Sequence, residues 1–224
     1  MVTLFSSRRR RIALPGGDAG VRGRAIPWYN VAPMSLASNQ PMTLSEFLAW
    51  EEGRPLRYEF DGLRPVAMTG GTRAHAGIQA NLAIAIGGRL RGGPCRFYGS
   101  DLKIRTGDDH IRYPDGFVAC TPGESTSTLV SDPVVIFEVL SPSTAAVDRI
   151  VKAREYQATP SVRRYVMLEQ DRVGATVYAR AGDGWTHDIL VSDSKLALPE
   201  VGVELPLVEL YEGLVFATEE DVDR

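Results

Sequence analysis

Two cysteines in 224 residues are too few for a disulfide framework. Cys95 and Cys120 match no metal-ligand spacing, and their apolar neighbours predict buried free thiols, which suits a reducing cytoplasm. No apolar run approaches the ~18 residues that a membrane span needs. A basic surplus is also missing. Lys and Arg number 25 against 28 Asp and Glu, a net charge of −3, whereas a protein that coats nucleic acid is usually basic. Contact with nucleic acid therefore rests on a local patch or is brief. The chain carries no glycine-rich phosphate loop, internal repeat, helix-turn-helix, zinc finger or aromatic stacking platform, so it reveals no target sequence.

What is present is an ordinary globular composition, 44% apolar, enough for one sizeable core. The first 41 residues stand apart. Ser6-Ser7-Arg8-Arg9-Arg10-Arg11 leads into a stretch rich in Gly, Pro and Arg, without hydrophobic periodicity. No apolar h-region follows the arginines, as a signal peptide requires. Residues 1–41 read as a disordered extension, or as residues upstream of a true start at Met34 or Met42; a basic arm on DNA phosphates stays open as the alternative. Residues 42–216 form the expected domain, and 217–224 an acidic tail.

Within the domain, Thr43 and Glu46 form a capping-box pattern before Leu44, Phe47, Leu48 and Glu51 on one helical face, with Gly53 as the stop. Runs 56–60 and 63–68, joined by Asp61-Gly62, predict a hairpin. Ile78, Leu82, Ile86 and Leu90 recur every four residues and predict a helix over 72–90. Strands are expected at 95–98, 101–105, 113–120 and 133–140. A second amphipathic helix over 143–156 turns Val147, Ile150, Val151 and Ala153 inward. Strands at 162–168, 173–179 and 185–191 and a short helix at 205–211 complete the chain. This order predicts an α/β fold, a mixed central sheet flanked by helices on both sides.

Glu138 is the anomaly. It stands inside Val134-Val135-Ile136-Phe137-Glu138-Val139-Leu140, a run apolar on both faces and hence a central strand. A buried carboxylate there needs a cationic side chain or a metal ion. Tyr113-Pro114-Asp115 opens another apolar strand, so two adjacent strands bring one carboxylate each. Two such groups ionise cheaply only with a cation between them. Mg²⁺ or Mn²⁺ would supply it, with a bound water as nucleophile; on spacing alone an arginine-paired structural carboxylate is the slightly better account.

Tyr58-Glu59-Phe60-Asp61-Gly62, His75, Tyr113-Pro114-Asp115, Phe137-Glu138-Val139-Leu140-Ser141-Pro142-Ser143-Thr144, Asp148, Lys152 and Tyr156 together resemble the Uma-two family of restriction-endonuclease-like proteins, in the PD-(D/E)XK nuclease-like superfamily. The resemblance spans residues 42–216 and implies a restriction-endonuclease-like fold. It implies Asp115 and Glu138 as metal ligands, the Val139 carbonyl as a further ligand and Glu59 as an additional carboxylate. The superfamily lysine two residues after the second acid is here Leu140, which leaves Lys152 to hold or polarise water from the next helix, or simply to pair with Asp148 at i,i+4. His75 reads as a group for phosphate or metal-bound water, or as a helix-cap or core histidine. Tyr156 reads as packing that positions Lys152, and Lys103 and Arg105 as phosphate contacts or a solvated edge.

The implied activity is Mg²⁺-dependent hydrolysis of DNA phosphodiesters, by a homodimer if it cuts both strands. The competing reading is a nuclease-fold binding or interaction module without turnover, and hydrolysis of a non-DNA phosphate ester is a third.

Overall fold

A computed structural model describes residues 40–68, 70–107, 109–142 and 145–216. The N-terminal extension and the acidic tail lie outside the described residues, as do the caps expected at Ser143 and Thr144. Helix α1, Leu44–Glu51, starts at the capping box. The Thr43 hydroxyl accepts from the Glu46 amide, and the Glu46 carboxylate accepts from the Thr43 amide at 2.7 Å. The hairpin follows as β1, Tyr58–Phe60, and β2, Pro65–Ala67. Asp61 closes its turn by accepting from the amides of Leu63 and Arg64, and Gly62 supplies a φ of 88°.

Helix α2, Arg73–Arg89, is capped by Thr72, and Ile78, Leu82 and Ile86 are fully buried along one side. The strands β3 (Arg96–Gly99), β4 (Lys103–Thr106), β5 (His110–Arg112), β6 (Gly116–Ala119), β7 (Leu129–Val130) and β8 (Val135–Leu140) come next. After β8 the chain turns through α3 (Ala145–Val147), a π-helical turn at Asp148–Lys152, and α4 (Ala153–Ala158). Strands β9 (Arg164–Glu169), β10 (Gly174–Ala181), β11 (Gly184–Val191), β12 (Lys195–Leu198) and β13 (Val203–Pro206) precede a 3₁₀ turn at Leu207–Tyr211.

The central sheet is six-stranded in the order β11-β10-β9-β8-β6-β3. It is mixed, because β8 runs parallel to β9 and antiparallel to β6. All six residues of β8 are buried, as a strand covered on both faces demands. On one face α2, the β12–β13 hairpin and the 3₁₀ turn close a core over Val135, Phe137 and Val139. On the other, Ala153 and Tyr156 of α4 pack with Ile136, Leu140, Tyr165 and Met167. A five-stranded sheet, β2-β1-β5-β4-β7, carries α1 through Phe47 and Phe60, whose rings stack at 4.8 Å.

Two expectations are corrected. Cys95 and Cys120 form a disulfide. Strands β3 and β6 are antiparallel with Arg96 opposite Ala119, so the next pair in register is the two cysteines. That long-range pairing is invisible in local spacing, and the inference of a reducing compartment from free thiols loses its premise. Second, the helix after β8 buries Ala153 as expected but turns the other three apolar residues outward. Val147, Ile150 and Val151 are 45%, 53% and 45% exposed, while Asp148, Lys152 and Tyr156 point inward. The inward face lies over the Glu138 carboxylate, so compensating a buried charge outweighs burying three aliphatic side chains.

Candidate active site

Gly116 pairs with Phe137, so Asp115 and Glu138 are the next residues in register, at the point where β6 begins. Asp115 lies at the mouth of the site. Its Oδ1 accepts from Gln79 Nε2 at 2.6 Å, and its Oδ2 accepts from the Val139 amide at 2.6 Å. His75 Nε2 stands 3.2 Å from the same Oδ2. His75 and Gln79 are one turn apart on α2, so a single helix face supplies both. The hydrogen bond to Asp115 raises the His75 pKa, against the opposing effect of burial. Asp115, His75 and Gln79 line a cleft of about 410 Å³ with Arg57, Gly71 and Ser100.

Glu138 lies deeper, 4% exposed. Its Oε1 accepts from Lys152 Nζ at 3.0 Å and from the Tyr156 hydroxyl at 2.7 Å. Burial pushes its carboxyl up to about 8; Lys152 pulls it back, and the charges of Asp115, Asp148 and Glu59 add to the rise. Lys152 Nζ also lies 3.2 Å from Glu59 Oε1 and 3.2 Å from Asp148 Oδ1. Burial works against its charge, but these three carboxylates outweigh burial and hold its pKa well above the usual lysine value. Lys152 is therefore a fixed positive charge.

Two residues that bear on this arrangement had not been picked out in the sequence. Arg112, in β5, donates from Nε and Nη2 to the two oxygens of Glu155 at 2.7 and 2.6 Å, and from Nη1 to Glu59 at 3.3 Å. Burial opposes the Arg112 charge, but the Glu155 hydrogen bonds and the charge of Glu59 outweigh it. Glu59 accepts from the Tyr113 amide as well, so it is held from three sides. Glu155 stands three residues after Lys152, and Arg112 directly precedes Tyr113-Pro114-Asp115; an arginine inside the strand His110–Arg112 was the available signal. Lys103 is turned away from the site and donates to buried Glu51, which also accepts from the Tyr113 hydroxyl. Arg105 lies near Asp109 on the surface.

Residues 44–207 match the Uma2 family, described as putative restriction endonuclease. The chain belongs to that family. The Synechocystis sp. (strain PCC 6803) protein slr1290 is 33% identical over 174 residues, covering 76% of this chain and 92% of its own. A second protein of that organism, sll1609, is 25% identical over 154 residues, covering 67% of this chain and 87% of its own. A crystal structure from Anabaena variabilis ATCC 29413, of a putative nuclease belonging to DUF820, superposes with a TM-score of 0.61 at 20% identity, over 76% of this chain and 98% of that one. The fold is restriction-endonuclease-like. Among the described residues no helix is long and apolar enough to cross a membrane.

Proposed function

We propose that this chain is a Mg²⁺-dependent endonuclease that hydrolyses DNA phosphodiester bonds. One observation carries the reading: Lys152, on the helix after β8, places its ammonium 3.0 Å from Glu138, in a superfamily whose usual lysine position is here Leu140. The donor set suits a hard cation, with Asp115 and Glu138 as neighbouring carboxylates and the Val139 carbonyl beside them. Among the described residues no three His, Cys, Asp or Glu side chains form a metal cage on their own. Mg²⁺ needs none, because it uses one or two carboxylates and keeps several waters and substrate oxygens.

When bound, the cation offsets phosphate charge and activates a water. Asp115 holds its carboxylate at the cleft, fixed by Gln79 and the Val139 amide. Lys152 remains an ammonium and offsets negative charge that develops on the phosphate. Glu59 anchors Lys152 rather than facing the cleft, since its oxygens are shared by Arg112, Lys152 and the Tyr113 amide. Tyr156 positions Glu138 by donating to the oxygen that Lys152 also uses.

The burial of Lys152 among three carboxylates also favours a second reading, a nuclease-fold binding module without turnover. Plasmid nicking with Mg²⁺ or Mn²⁺ separates the two. Cleavage by the wild type and none by Asp115→Ala supports the enzyme. Calorimetric Mn²⁺ binding without cleavage of any nucleic acid leaves the binding module.

A further inference from the structure

Asp115 opens onto more than the cleft that holds His75 and Arg57. Past Ala76, Gln79 and Ser100 that cleft continues into a groove of about 940 Å³ between α2 and β3. Asp115 lines both, so the two form one trough with the acid part-way along it. Helix α2 contributes Ala80, Ala83 and Gly87 to one wall, and the turn after β3 contributes Ser100 and Asp101 to the other.

Charge along the trough is sparse, and its cations stand on either side of Asp115. Among the described residues that line it, the arginines are Arg57, in the His75 cleft, and Arg91, just past the end of α2, and there is no lysine. The carboxylates are Asp115 and Asp101. Arg57 pairs with Asp101, but the two side chains are 49% and 85% exposed, and an ion pair in that much water holds weakly. A phosphate that accepts two parallel hydrogen bonds from the guanidinium displaces it. Arg91 is exposed, and among the described residues it forms no ion pair. Along the helix Gln79, which holds Asp115, and Arg91 are about 18 Å apart, roughly five nucleotides at the ~3.4 Å rise of one DNA strand. A small phosphate ester at Asp115 does not reach Arg91, whereas a strand does.

We infer that a DNA strand lies along α2 in this trough, with Arg57 holding a phosphate on one side of Asp115 and Arg91 a phosphate on the other. Arg57 exchanges Asp101 for its phosphate as the strand enters. These two contacts are the local basic patch that a chain of net charge −3 needs for nucleic acid. The inference rests on the nucleic-acid reading of the Asp115 site proposed above, and gives that site a polymer substrate and a direction.

The test is fluorescence anisotropy with a labelled DNA duplex across a salt series, on the full chain carrying Asp115→Asn. That background binds without cutting, so affinity is read separately from turnover. Arg57→Ala and Arg91→Ala are added singly, with Lys195→Ala as the charge-matched control; Lys195 is exposed, pairs with Glu204 on β13 and lines neither cleft. Circular dichroism confirms that each variant is folded. Each arginine variant is expected to bind about tenfold more weakly and to lower the slope of log affinity against log salt by about 1. The lysine control keeps the affinity and slope of the background. Asp101→Ala, which frees Arg57, is expected to tighten binding a few-fold. Arginine variants that match the lysine control overturn the inference, as does a background chain that binds no DNA. An effect at only one arginine overturns the path along α2, and unchanged or weaker binding in Asp101→Ala overturns the exchange at Arg57. A wild-type chain that cuts no plasmid overturns turnover alone, because the binding series does not depend on it.

Discussion

Asp115 and Glu138 are neighbours in register on adjacent strands, yet one lies in an open half of the site and the other in a closed half. Around Asp115 the partners are an amide, a glutamine and a histidine at the wall of a cleft. Around Glu138 they are an ammonium, a phenol and a second layer of ion pairs running through Glu59 to Arg112 and Glu155. The open half can exchange partners with solvent or ligand at little cost. In the closed half Lys152 and Tyr156 both hold Glu138 Oε1, and every charge has been taken out of water and depends on the others. Exchange and charge fixation are thus assigned to different residues of one site.

The comparison breaks most visibly at Lys152. Lys152→Ala leaves Glu138, Glu59 and Asp148 buried without their shared cation, and the expected loss is about 3–5 kcal/mol in denaturant unfolding. A loss below about 1 kcal/mol would mean that the closed half is open to water. Glu138→Gln tests the same half by pH. Burial pushes the folded carboxyl up to about 8 from an ordinary 4.5, so the native state binds the extra proton between these values. Stability must therefore fall as pH rises from about 4.5 to 8. Gln keeps an acceptor for Lys152 and Tyr156 but removes the titration, so melting curves of the variant should show a flatter slope across that window.

In the open half, Asp115→Asn retains an acceptor and costs about 1 kcal/mol, while Mn²⁺ binding and cleavage disappear. A collapse in stability as large as that of Lys152→Ala would erase the distinction between the halves. The smallest effect is expected at Gln79→Ala. Losing one hydrogen bond to a part-exposed carboxylate costs about 0.5–1 kcal/mol, and Mn²⁺ affinity weakens only a few-fold in calorimetry because Val139 still fixes the other oxygen.

Local patterns reached much of the fold. The capping box at Thr43, the Asp61-Gly62 turn and the four-residue stripe from Ile78 to Leu90 each specify their element through hydrogen bonds or contacts within a few residues. Short strands escaped notice. β5, β7 and β12 have two to four residues each, too few for alternation to show. The inward face of the helix after β8 was misjudged because periodicity ranks side chains by hydrophobicity, whereas burial there follows charge. Arg112 and Glu155 were missed because an ion pair between residues 43 apart leaves no local trace.

By itself the sequence determined that Glu138 lies inside an apolar strand, and a carboxylate there must have a counter-charge because water is excluded. It also determined that Asp115 opens a neighbouring strand. Which partners answer each acid was decided only by the tertiary structure. Register set Asp115 beside Glu138, the packing of α2 brought His75 and Gln79 to one, and the helix after β8 brought Lys152 and Tyr156 to the other. Coulomb interactions depend on separation in space, and the fold alone sets those separations.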